Sequence, residues 1–168
     1  MNVKQFEKIH NKMFQSIKMQ YSAMPDTMQN IWNTLQNMVY YHNPALLDTL
    51  FNDLVHLYRL QCAITNEKDF QEFVQWLKGI SSKILIEKAQ EYATKDRLHN
   101  FRLASEKLNV EMDLICLFFM IKHIASIDDI VSHRIQMDDA LIMEKFVDAI
   151  NYCILLKAIY KDMEVKNA

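Results

Sequence analysis

One glycine, Gly79, and two prolines, Pro25 and Pro44, are all that this chain of 168 residues contains of the two strongest helix breakers. Gly and Pro end helices and turn chains more readily than any other residue. A chain so poor in both favours long helices. Plentiful Leu, Ile, Met, Lys, Gln and Glu push the same way, and no segment shows the period-two alternation of a half-buried strand. The expectation is an all-α fold, a helical bundle of about six or seven helices, long enough to enclose a real core.

The apolar spacing sets the elements. Phe6, Ile9, His10, Met13, Phe14, Ile17 and Tyr21 recur at helical intervals and predict a first helix over 3–22. A second follows Pro25, over 26–41, with Met28, Ile31, Trp32, Leu35, Met38 and Val39 as its stripe. Asn43-Pro44 reads as a cap followed by proline in the first turn, opening a third helix over 44–64. Thr65 or Asn66 caps a fourth over 67–93, with Glu67 and Asp69 at its positive end and a kink or break near Gly79-Ile80-Ser81-Ser82. A loop and short helix fill 94–109. A very apolar helix covers 110–132, and a last one, opened by Asp138-Asp139, covers 138–163.

Texture divides the chain in two. Residues 1–80 form an N-terminal helical layer rich in Asn, Gln and Met. Its Met19, Met24, Met28, Met38, Trp32, Tyr40 and Tyr41 are either core or an adaptable surface for a second copy or a host protein. Residues 81–168 form a helical core in which charged residues interrupt apolar segments. That C-terminal bundle is expected to carry the site.

A net charge of −2 with scattered basic residues speaks against broad electrostatic attachment to nucleic acid or anionic membrane. Cys62, Cys116 and Cys153 lie far apart in apolar stretches, which predicts three buried thiols in a reducing compartment. The longest apolar run, "LICLFFMI" at 114–121, is too short to span a bilayer. No signal-peptide pattern opens the chain. The expected compartment is the cytoplasm.

Three segments place polar residues where an apolar pattern runs. In 138–163, Glu144, Asp148 and Asn151 fall within about 60° of one another on a helix. Leu141 and Leu155 flank them on the same line. In 84–101, Glu87 and Glu91 continue a line begun by Ile80 and Ile84, and Asp96, Arg97, His99, Asn100 and Phe101 follow. In 114–130, Lys122-His123 and Asp128-Asp129 interrupt an apolar helix. Lys122 and Asp129 are seven residues apart, too far to pair on one helix face, so partners on other helices are expected. Each stripe is either a narrow solvated edge or a wall of a shared pocket, since an ionised carboxylate inside a core must be paired or metal-bound. If the stripes converge, their carboxylates suit a hard cation, Mg²⁺ or Mn²⁺. Lys122, His123 and Arg97 would then meet phosphate, Asn100 and Asn151 a base or sugar edge, and Phe101 or Tyr92 a base face.

"KAQEYATKDRLHNF", "IKHIASIDDI" and "EKFVDAINYCILLKA" together resemble the all-α nucleoside triphosphate pyrophosphohydrolases. The likeness is to the MazG-like and dimeric dUTPase-like groups, and more closely to a small domain common in phage genomes and associated with nucleotide modification. It covers roughly residues 83–162. It implies Mg²⁺ held by four acids, Glu87 and Glu91 resembling the first pair and Glu144 and Asp148 the second. Glu91, Lys122 and His123 would be catalytic, and Arg97, His99, Asn100, Phe101 and Asn151 would bind substrate. Two positions depart from the pattern: Lys88 stretches the first pair to E-x-x-x-E, and Lys145 stands where a second acid is usual. The resemblance implies a phage protein in the host cytoplasm, working as a homodimer. It would be a Mg²⁺-dependent nucleotide hydrolase or, alternatively, a non-catalytic anti-defence protein. The latter would sequester a nucleotide signal or inhibit a host defence protein.

Overall fold

The computed structural model describes residues 1–18, 27–91 and 95–166, without the side chains of Gln90, Glu91 and Lys166. Among these residues the chain is all-α, with seven helices and no strand. They are α1 (Val3–Gln15), α2 (Thr27–Tyr41), α3 (Leu47–Gln61), α4 (Glu67–Glu91), α5 (His99–Leu108), α6 (Met112–Val131) and α7 (Asp139–Lys166).

Local chemistry fixes the ends. Asn2 and Gln5 form a reciprocal capping box on α1. Asn66 Oδ1 accepts from the Asp69 amide at 2.9 Å and caps α4. Asp138 caps α7 by accepting from the Leu141 amide at 2.9 Å. Asn109 ends α5 in the left-handed region at φ 52°, a conformation Asn tolerates better than most residues.

Four expectations need correction. The first helix stops at Gln15 rather than near residue 22. The Ser16 hydroxyl donates to the Met13 carbonyl, and Lys18 gives its amide to Asn52 and its carbonyl to His56, so the chain leaves the helix axis there. Tyr21 lies outside the described residues, as do Met19, Met24 and Tyr92. Asn43 caps a short 3₁₀ turn, Pro44–Leu46, before α3 begins. α4 runs unbroken through Gly79-Ile80-Ser81-Ser82, because Gly79 faces open space and Ser81 bonds side chains on other helices instead of its own backbone. Cys62 is exposed just past the end of α3, whereas Cys116 and Cys153 are buried as expected.

α7 is the axis of the bundle. Phe146, Val147, Ala149, Ile150, Cys153, Ile154, Leu156, Ala158 and Ile159 are all fully buried. A helix apolar on every side needs neighbours on every side, and α7 packs against α6, α3, α4 and α1. Tyr58 of α3 stacks flat on Phe146 at 4.5 Å between centroids. The boundary at 80/81 falls inside α4, and buried apolar residues from both segments join one cluster. In α2, Met38 is buried while Tyr40 and Tyr41 are exposed. Among the described residues no helix is long and apolar enough to cross a membrane.

Candidate functional site

The polar line on α7 runs from solvent into the core. Glu144 is exposed and pairs with Lys145 at 3.2 Å. One turn on, Asp148 is 8% exposed and Asn151 only 4%. Packing of α4 over this part of α7 makes the difference. Asp148 Oδ1 accepts from the Lys88 ammonium at 2.8 Å, so the lysine that interrupts the acidic line of α4 neutralises the buried acid of α7.

A cavity of about 310 Å³ opens beside this pair. α4 contributes Leu85, Lys88 and Ala89, and α7 contributes Asp148, Asn151, Tyr152 and Leu155. Asp96, Arg97, His99, Asn100, Phe101 and Ala104 come from α5 and the turn before it. Phe119 of α6 and Phe6 of α1 complete the wall. Arg97, His99, Asn100, Phe101 and Asn151, the expected substrate-binding set, therefore share one cavity with Asp148. The walls are chiefly apolar with a few polar groups, as is usual for small-molecule sites. Phe119 and Tyr152 lie nearly parallel, 12° apart with centroids 6.3 Å apart.

Charge is distributed unevenly around it. Asp96 takes Arg102 Nε at 2.8 Å, and Arg102 is also bidentate to Asp162. Hydrogen bonding from Arg102 holds the Asp96 carboxyl well below the usual carboxylate range. The Arg97 guanidinium lies over the Phe6 ring at 5.6 Å and donates to the Leu85 carbonyl at 3.3 Å. It has no ion pair among the described residues, and burial lowers its pKa. The wall thus has two acids already matched by cations, and a guanidinium that is not.

Behind the cavity lie buried neutral groups. His123 Nδ1 is 3.8 Å from Asp148 Oδ2, and burial lowers the imidazole pKa against the pull of that carboxylate. His10 Nε2 is 3.0 Å from Ser81 Oγ, which is 2.6 Å from Asn151 Oδ1. Burial, aided by Lys78, lowers the His10 pKa to about 4. Asn151 Nδ2 is buried without a hydrogen-bond partner among the described residues.

The other candidates lie apart. Glu87 is exposed and pairs with Lys83 of its own helix at 3.8 Å. Lys122 is exposed on α6 and lines no part of the cavity. Asp129 pairs with Arg134 at 2.7 Å, and Asp128 accepts from Trp32 Nε1 of α2 at 2.7 Å. The Glu91 side chain lies outside the described residues. Among the described residues no three His, Cys, Asp or Glu side chains are placed to share a metal ion. Glu87, Glu144 and Asp148 each pair with a separate lysine, Lys83, Lys145 and Lys88.

Phe6, His10, Ser81, Phe119 and Tyr152 were not in the expected site. Phe119 carries a weak signal, a large apolar residue next to the Lys122-His123 interruption. His10 and Ser81 carry none, since their partners are about seventy residues away in the chain.

No protein-family model matches the chain, and no curated protein or solved structure matches it.

Proposed function

We propose that this protein binds a nucleotide in the cavity among α4, α5, α6 and α7, and works by sequestering it. One observation carries the reading: a single cavity joins Arg97, Lys88 and His99 to the rings of Phe101, Phe119 and Tyr152 and the amides of Asn100 and Asn151. The Arg97 guanidinium suits phosphate, rings suit a base face, and amides suit a base or sugar edge. The likeness of 83–162 to phage nucleotide-handling domains supports the same ligand class. In that setting the ligand is a nucleotide signal in the host cytoplasm. Binding without hydrolysis is preferred because Glu87 and Glu144 are exposed and paired with lysines of their own helices.

The test is a nucleotide panel read by thermal shift and calorimetry, with and without Mg²⁺, on the wild type and Arg97→Met. Nucleotides are expected to raise Tm without Mg²⁺, since a ligand specific to the folded state stabilises it. Arg97→Met is expected to weaken affinity about tenfold, the usual effect of removing a charge-assisted bond. No stabilisation by any nucleotide would sink the proposal. Turnover that needs Mg²⁺ would replace sequestration with hydrolysis.

A further inference from the structure

The orientation of the Asn151 amide can be decided from two distances. Ser81 Oγ lies 2.6 Å from Asn151 Oδ1 and 3.0 Å from His10 Nε2. A separation of 2.6 Å suits O–H···O and is short for N–H···O, whereas 3.0 Å is ordinary for N–H···O. Ser81 therefore donates its only proton to Asn151, and His10 donates Nε2–H to Ser81. The reverse relay would put an N–H donor in the short contact. His10, Ser81 and Asn151 are all buried, so solvent does not compete for these bonds.

The carbonyl of Asn151 is thereby committed to Ser81. Its Nδ2 is left as a buried donor with no partner among the described residues, in a side chain that forms part of the cavity wall. A buried donor left unsatisfied is costly, and a site that contains one favours a ligand able to accept from it. The acceptor is a neutral one. Asn151 is 4% exposed, and moving a phosphate that deep would strip its water. The Arg97 guanidinium in the same cavity is the group for the phosphate.

We propose that Asn151 reads an oxo group on the base of the bound nucleotide, and that Ser81 and His10 are positioning residues that keep its amide turned as a donor. This rests on the nucleotide-binding reading above. Bases that carry an oxo group at the reading edge, such as hypoxanthine and uracil, fit the donor. Their 6-amino and 4-amino counterparts, adenine and cytosine, bring a second donor against it.

The experiment uses matched pairs of probes: inosine against adenosine monophosphate, and uridine against cytidine monophosphate, by calorimetry on the full chain. In the wild type at least one oxo member is expected to bind about tenfold tighter than its amino partner, the scale of one well-placed base contact. Ser81→Ala releases the amide to turn over, so both members of that pair should bind within about twofold of each other, a loss of discrimination rather than of binding. His10→Gln, whose amide can still donate to Ser81, should keep the preference. Equal affinities within both pairs in the wild type, or an unchanged preference in folded Ser81→Ala, would overturn the assignment while leaving nucleotide binding intact. Failure of all four nucleotides to bind would overturn both.

Discussion

Two polar networks border the same cavity and solve the problem of burial in opposite ways. Asp96, Arg102 and Asp162 form a charged knot joining the turn before α5, α5 itself and α7. His10, Ser81 and Asn151 form an uncharged relay joining α1, α4 and α7. In the knot, one guanidinium bonds both acids, and Arg102 rises above its usual pKa through hydrogen bonds to Asp162 and then Asp96. In the relay, each bond uses up one group, and one donor is left over on a side chain that lines the cavity. The first holds helices together. The second also holds helices together but leaves a group whose partner must come from elsewhere.

The knot is where a single substitution costs the most. Arg102→Ala leaves two carboxylates without their guanidinium and is expected to cost about 3 kcal/mol, measured by urea denaturation. It should also change the acid limb. Asp96 has a depressed folded pKa, so its stabilisation is complete above the unfolded value near 3.8 and is lost as pH falls below that. Arg102→Ala should remove most of that loss between about pH 4 and pH 2. An unchanged acid limb would mean that the knot contributes little.

The relay predicts a smaller effect at a higher pH. His10 titrates at about 4 when folded against 6.5 unfolded, so the unfolded chain binds the extra proton between those values. Stability from this group is complete above about pH 6.5 and declines as pH falls toward 4. His56 and His123 are lowered in the same direction by burial. His10→Gln should flatten part of this decline in a pH series of unfolding curves, without abolishing it. Ser81→Ala is expected to cost about 1–2 kcal/mol at neutral pH, the range for leaving buried polar groups unpaired. Smallest of all is Lys157→Ala, which removes an ion pair to the exposed Asp48 and should shift stability by less than about 0.5 kcal/mol.

Much of the scaffold was legible because helical spacing is a local property. The starts of α4 and α7 follow from Asn66 and Asp138, each acting on its own neighbourhood. The grouping of Arg97, His99, Asn100, Phe101 and Asn151 in one cavity could be reached because four of the five are neighbours in sequence. Depth along a stripe was not legible. Period alone puts Glu144, Asp148 and Asn151 on one line, but the helix lying over that line decides that Glu144 stays in water while Asp148 and Asn151 do not. Partner choice was equally hidden: Lys88 reads as an intruder between two glutamates, yet its carboxylate is sixty residues away. Ser81 was the most misleading position. Next to Gly79 it reads as a helix weakness, whereas its hydroxyl is spent on a contact between helices.

Phe6 and His10 come from α1, the first helix, yet one lines the cavity and the other sets the amide of Asn151. Occupancy of the cavity and docking of α1 are therefore two readouts of one equilibrium. If the proposed ligand fills the site, amide exchange in Val3–Gln15 is expected to slow, far along the chain from most of the lining residues. Exchange in this helix would then report the proposed binding without knowledge of the ligand's chemistry.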